Sequence, residues 1–202
     1  MNTSLNNRYY LMRHGESLAN KQGLIVSHPG NAIDNFGLTT NGANQVSQAA
    51  LNTRLSNNTI IISSDYKRAV ETAEIMHNVL SMKSAISYDC SLRERDFGSW
   101  ELSSHENYEA IWQQDIENSK TTFKNNVESV QQVLERGIKT IQQLESEFKQ
   151  QSILIVGHGD VLQILFAYYQ NIDPRFHRSL NPINNADIRQ LVKTQVKQKL
   201  MA

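Results

Sequence analysis

The chain has 202 residues, a size that holds one domain with a sizeable core. Its 20 Lys+Arg balance 20 Asp+Glu, and it has a single cysteine. The charge balance argues against a nucleic-acid surface, and one cysteine excludes an internal disulfide or a multi-thiolate zinc site. The longest wholly apolar run, Ile153 to Val156, is far too short to span a membrane. MNTSLNNRYY shows no apolar leader, so a cytoplasmic protein is expected, with a modestly basic tail at Lys193, Lys197 and Lys199.

Taken in chain order, the elements alternate. Tyr9 to Met12 reads as a strand that leads into Arg13-His14-Gly15-Glu16-Ser17. Thr39 or Thr40 opens a helix to about Leu55, with Ala43, Val46, Ala50 and Leu51 facing inward. Thr59 to Ile62 is a second strand, followed by Ser63-Ser64-Asp65 and a helix from Tyr66 to Leu80. Ala85 to Tyr88 is a weaker strand that precedes Leu92-Arg93-Glu94-Arg95-Asp96. From Gly98 to about Asn126 the chain turns polar, with Trp100, Tyr108 and Trp112 on or near a short helix from about 106 to 117. This stretch reads as a cap insertion outside the sheet. Val127 to Phe148 carries the longest apolar stripe at helical spacing. Ile153 to Val156 is a strand leading into Gly157-His158-Gly159-Asp160, and Val161 to Tyr169 is a buried helix.

No internal repeat or linker interrupts this order, so residues 1–202 read as one domain. Strands alternating with helices predict a three-layer α/β/α sandwich around a mainly parallel sheet. Ligands of such sheets bind beyond the carboxyl ends of the strands. Arg13, His14, Arg68, Glu94 and His158 all follow strand candidates, so they are expected at one edge. Arginines suit the spread charge of a phosphoryl group, an imidazole can attack phosphorus, and a carboxylic acid can protonate a leaving oxygen. Each piece also has a structural reading. Arg68 could pair with Glu71 or Glu74, Glu94 could sit in an ion-pair cluster, and Gly-His-Gly could be a tight turn. A metal site of His14, His158, Glu94 and Asp160 matches no ligand spacing. His28, His77, His105 and His177 read as surface or satisfied histidines, and Tyr108 and Trp112 as packing of the cap helix.

Arg13-His14-Gly15-Glu16-Ser17 with Asn20 resembles the signature of the histidine phosphatase superfamily, phosphoglycerate mutase-like branch. The resemblance runs on through Gly37 to Gly42 with Gln45, Ser64 to Ala69 with Thr72 and Ala73, and Leu92 to Gly98 with Trp100 and Glu101. It ends in Glu128-Ser129 and Val156 to Gly159. It implies a phosphohistidine mechanism: His14 as nucleophile, Glu94 as proton donor and later general base, and Arg13, Arg68 and His158 on the phosphoryl group. Asn20 and the backbone of Gly159 would complete the pocket, and Ser27 would reach a phosphate oxygen. No metal and no cofactor would be needed. Leu24 follows Gly23 where the family often has arginine, Phe97 stands where the mutases have tyrosine, and the stretch from Glu94 to His158 lacks a long basic insertion. These departures favour a phosphatase for a small phosphorylated substrate over a mutase. A phosphoprotein substrate, or a non-catalytic phospholigand-binding domain, remains an alternative. The oligomeric state is not readable.

Overall fold

The computed structural model describes residues 5–117 and 125–192; the basic tail falls outside them. Five strands form one sheet in the order β3-β2-β4-β1-β5. They are β1 (Arg8–Arg13), β2 (Ile60–Ser63), β3 (Ser87–Tyr88), β4 (Ser152–Gly157) and β5 (Ile188–Gln190). β1, β2, β3 and β4 pair in parallel, while β5 runs antiparallel along β1. β5 has no sequence signal of its own, because Ile-Arg-Gln is neither an apolar run nor a full alternation. Its place is set by pairing Met12 with Ile188 and Tyr10 with Gln190.

The two faces of the sheet separate by residue parity, as strand geometry requires. Tyr9, Leu11, Ile153 and Ile155 pack on α6 (Val130–Glu147) and α7 (Gly159–Tyr169). Met12, Leu154 and Val156 pack on α3 (Thr40–Asn52) and α4 (Lys67–Val79). Helices therefore cover both faces, and β4 is buried along Ile153 to Gly157.

The helix ends follow from capping chemistry. Thr39 accepts the Gly42 N–H and opens α3. Ser129 and Gln132 form a reciprocal capping box that starts α6 at Val130, later than the Val127 expected from periodicity. Val127 instead joins Ile25, Phe97 and Ile111 in a separate apolar cluster under the cap. Leu51, expected inward, is 69% exposed, because α3 ends at Asn52 and presents that residue to solvent. The cap contributes a short 3-10 turn at Gly98–Trp100 and α5 (Asn107–Glu117). The third strand shrinks to Ser87 and Tyr88.

The strand register places the chemistry. Arg13 is opposite Gly157, and Ser63 is opposite Val156. His14, Ser64 and His158 each follow by one residue and so emerge at the same sheet edge. Among the described residues no helix is long and apolar enough to cross a membrane.

Candidate active site

His14 is the centre of this edge and is only 3% exposed. Its Nδ1 lies 2.7 Å from the carbonyl oxygen of Gly15. A carbonyl only accepts, so Nδ1 carries the proton. Nε2 is left with its lone pair, which accepts from Arg68 Nε at 3.1 Å. The two bonds fix one tautomer. Burial, then the Arg68 and Arg13 charges, hold the His14 pKa well below the usual imidazole range against the opposing Gly15 bond. The ring is therefore biased toward its neutral form, with the lone pair on Nε2. Gly15 permits this geometry: a Cβ there would lie 2.5 Å from the carbonyl oxygen of Gly42.

Arg68 opens α4 and is buried; its Nη2 donates to the Val26 carbonyl at 2.9 Å. The helical ion pair with Glu71 or Glu74 does not form; Glu71 instead accepts the Leu38 N–H. Arg13 donates from Nη1 to the Ile183 carbonyl at 3.1 Å. Arg13 Nε and Arg68 Nη1 are buried donors without a hydrogen-bond partner. Both side chains line a cavity of about 190 Å³ together with His14, Asn20, Glu94 and Gly159. Six of the residues singled out in the sequence thus meet on one wall.

Glu94 faces this cavity with Oε1 accepting the Arg95 N–H at 2.9 Å. The ion-pair cluster around it exists but passes it by. Arg93 pairs with Asp65, and Arg95 pairs with Asp115 and Asp160. Among the described residues Glu94 itself forms no ion pair. Burial, then the Asp160 charge, raise its pKa against the pull of Arg68, the Arg95 N–H and Arg13. Its carboxyl thus holds a proton to higher pH than an ordinary glutamate.

Asn20 closes the capping box of the short helix α1 (Leu18–Gln22), where its Oδ1 accepts from Ser17 N and Oγ. Its amide NH2 is what it can offer the cavity. Gly159 begins α7, which no side chain caps, so its first N–H groups also point to that end of the site.

Two expected residues are not on this lining. The His158 ring packs against that of His14, with centroids 5.2 Å apart and a tilt of 59°. Its Nε2 meets Ser64 Oγ at 2.9 Å, while its buried Nδ1 has no hydrogen-bond partner. Ser27 lines a neighbouring cavity that it shares with Glu94. Its hydroxyl donates to Glu101 Oε2 at 2.9 Å and accepts the Phe97 N–H at 3.0 Å, while its carbonyl accepts from the Tyr66 hydroxyl. These bonds make Ser27 a buttress between the 23–28 segment and the cap.

Other wall residues were not foreseen. His105, read as a surface histidine, is exposed and also lines the cavity. Tyr108, Trp112, Asp160 and Arg178 complete the far wall. Trp112 Nε1 donates to Asp160 at 3.1 Å, and the Arg178 guanidinium lies 3.8 Å from the centre of the indole ring. Burial pushes the Asp160 carboxyl up, but His177, Arg95 and Arg178 outweigh it and hold it below its ordinary range. A patterned signal for Arg178 is absent from the sequence, because its partners come from α5 and α7. His28, His77 and His177 do hold ordinary hydrogen bonds. Among the described residues no group of three or more His, Cys, Asp and Glu side chains is placed to hold a metal ion.

The model of the histidine phosphatase superfamily, branch 1, matches residues 9–201. The chain belongs to that superfamily. Two relatives of this histidine phosphatase are adenosylcobalamin/alpha-ribazole phosphatases. The one from Escherichia coli (strain K12) is 32% identical over 171 residues, covering 79% of this chain and 77% of the relative. The one from Salmonella typhimurium is 30% identical over 168 residues, covering 79% and 78%. A solved structure described as a putative alpha-ribazole-5'-P phosphatase from Escherichia coli superposes with a TM-score of 0.71 at 28% identity, over 91% of this chain and 89% of that one. Bacillus stearothermophilus YhfR shares the fold with a TM-score of 0.75 at 22% identity, covering 91% and 90%.

Proposed function

We propose that this protein is a metal-independent phosphomonoesterase that works through a phosphohistidine on His14. One observation carries the reading: His14, with the proton on Nδ1 and Nε2 accepting from Arg68, lines one cavity with Arg13, Arg68 and Glu94. Arg13, Arg68, Asn20 and the first N–H groups of α7 receive the phosphoryl oxygens. The His14 Nε2–phosphorus bond forms as the ester P–O bond breaks, and the departing oxygen takes the proton from Glu94. Arg68 Nε shifts from Nε2 to a phosphoryl oxygen as that lone pair is used. Glu94, now ionised, accepts a proton from water as the water attacks phosphorus and releases His14. Fixed cations neutralise the growing charge, which is the work a metal would otherwise do. His158, packed on the ring of His14, holds that ring in its attacking position.

Hydrolysis is favoured over transfer between two positions of one sugar acid. Beyond Arg13 and Arg68, the further arginine on the wall is Arg178, which already donates to Gln163 and lies 3.9 Å from Asp160. The cavity of about 190 Å³ has room for a phosphoryl group beside His14, and a small phosphate ester is the substrate class taken here. Alpha-ribazole 5'-phosphate, which the names of the relatives specify, is the first compound to try. Purified protein is assayed against a panel of phosphomonoesters with His14→Ala as the blank. Phosphate release that falls by about 10³-fold or more in the variant is expected. A variant with near wild-type release contradicts the mechanism, and a wild-type protein that only isomerises 3-phosphoglycerate contradicts hydrolysis.

A further inference from the structure

Tyr108 is the one aromatic of the cap helix whose polar end has no assigned task. It lines the same cavity as Arg13, His14, Arg68 and Glu94. Its ring is locked from two sides: edge-on to Phe97 at 4.8 Å and 71°, and parallel to Trp112 at 5.3 Å and 6°. Trp112 is in turn fixed by its bond to Asp160 and by the Arg178 guanidinium over its ring. A side chain held this way needs no reorganisation to use its hydroxyl. That hydroxyl makes no hydrogen bond to any described residue, and the same cavity also holds the unpaired donors Arg13 Nε and Arg68 Nη1.

The surrounding charges decide what the hydroxyl can do. Burial, then Glu94 and Asp160, push its pKa well above the ordinary phenol value, and Arg68 and Arg13 only partly oppose them. It stays protonated and can act only as a neutral donor or acceptor, not as a base. Glu94, the carboxyl that faces the departing oxygen, is foremost among its charged neighbours.

We propose that Tyr108 is a further catalytic residue, whose hydroxyl donates a hydrogen bond to the ester oxygen that Glu94 protonates. The proposal rests on the hydrolase reading above. In the first step the bond from His14 Nε2 to phosphorus forms, the P–O ester bond breaks, and the proton moves from Glu94 to the departing oxygen. Tyr108 keeps its own proton and stabilises the charge building on that oxygen. The help matters most when the leaving group is a poor one and carries much negative charge in the transition state.

Tyr108→Phe removes the hydroxyl and keeps the stacked ring. Phenyl phosphate and p-nitrophenyl phosphate are nearly isosteric esters with a poor and a good leaving group. For the variant, kcat/KM on phenyl phosphate is expected to fall by about tenfold, with p-nitrophenyl phosphate within about threefold of wild type. The melting temperature should be unchanged. An equal loss on both esters, or no loss on either, overturns the assignment, since packing alone cannot distinguish the two leaving groups. If wild type hydrolyses neither ester, or if His14→Ala still hydrolyses them, the hydrolase reading itself falls. If wild type is active, His14→Ala is inactive and Tyr108→Phe behaves as wild type, only the role of Tyr108 falls.

Discussion

Arg68 Nε donates to His14 Nε2 at 3.1 Å, so one guanidinium both lines the cavity and fixes the tautomer of the histidine proposed as nucleophile. The same guanidinium is anchored through Nη2 on the Val26 carbonyl and leaves Nη1 unpaired. Lysine keeps the charge but cannot make these two directed contacts and present a third donor from one planar group. Arg68→Lys should lower kcat/KM by about 10²-fold on any ester, with kcat and KM both affected. Steady-state kinetics on p-nitrophenyl phosphate measure it; a variant within a few-fold of wild type would show that Arg68 supplies charge alone.

The pH profile follows from two opposed shifts. His14 must be neutral to attack, and its pKa is lowered by burial and by Arg68 and Arg13. The acid limb therefore lies below the usual imidazole range. Glu94 must be protonated at the first step, and its pKa is raised by burial and by Asp160. Activity on a poor leaving group should fall as pH rises through that raised value. Asp160→Asn removes a charge that favours the protonated form, so the descending limb should move to lower pH. Rate profiles of kcat/KM for the two proteins decide the matter; a limb that stays in place or moves to higher pH contradicts the assigned coupling.

Arg95 tests the foundation of the cap. It is fully buried, with Asp115 held by two contacts of 2.7 Å and Asp160 at 3.3 Å, and it ties α5 to the start of α7. Removing it strands the buried Asp115 carboxylate, while Asp160 keeps Trp112, His177 and Arg178. Arg95→Met should cost about 3–5 kcal/mol of stability, since an unpaired buried charge is left behind. Urea unfolding measures it. A loss below about 1 kcal/mol would mean that the Asp115 carboxylate finds water or other partners once the arginine is gone.

Ser27 separates a phosphate contact from a buttress. Its hydroxyl is consumed by Glu101 and Phe97. Ser27→Ala should therefore leave KM for small esters and inhibition by inorganic phosphate within about twofold. It should lower stability by about 1–3 kcal/mol, the cost of leaving buried partners unsatisfied. A large rise in KM with an unchanged melting temperature would restore the phosphate contact.

Much of this was readable before folding, for a physical reason. Ile153 to Val156 is apolar on both parities because helices cover both faces of β4, and the α6 stripe is one-sided because only one face is covered. Residues that follow such strands share an edge by register, which is why His14, Arg68 and Glu94 could be grouped. What failed depends on contacts between distant segments. The exposure of Leu51 follows from where α3 stops. Arg178 belongs to the site because Trp112 and Gln163 converge on it. The bond from the Ser27 hydroxyl to Glu101 joins segments 74 residues apart and has no local signal. β5 owes its existence to the edge of β1 rather than to its own residues.

The central claim is a covalent bond between phosphorus and His14 Nε2. Rapid-quench of the enzyme with excess p-nitrophenyl phosphate, kept alkaline, followed by peptide mapping by mass spectrometry, tests it most directly. The account predicts an acid-labile phosphoryl group on the peptide containing His14, formed at least as fast as turnover and absent from His14→Ala. A phosphoryl group on another residue formed at that rate, or steady turnover in His14→Ala, would contradict it.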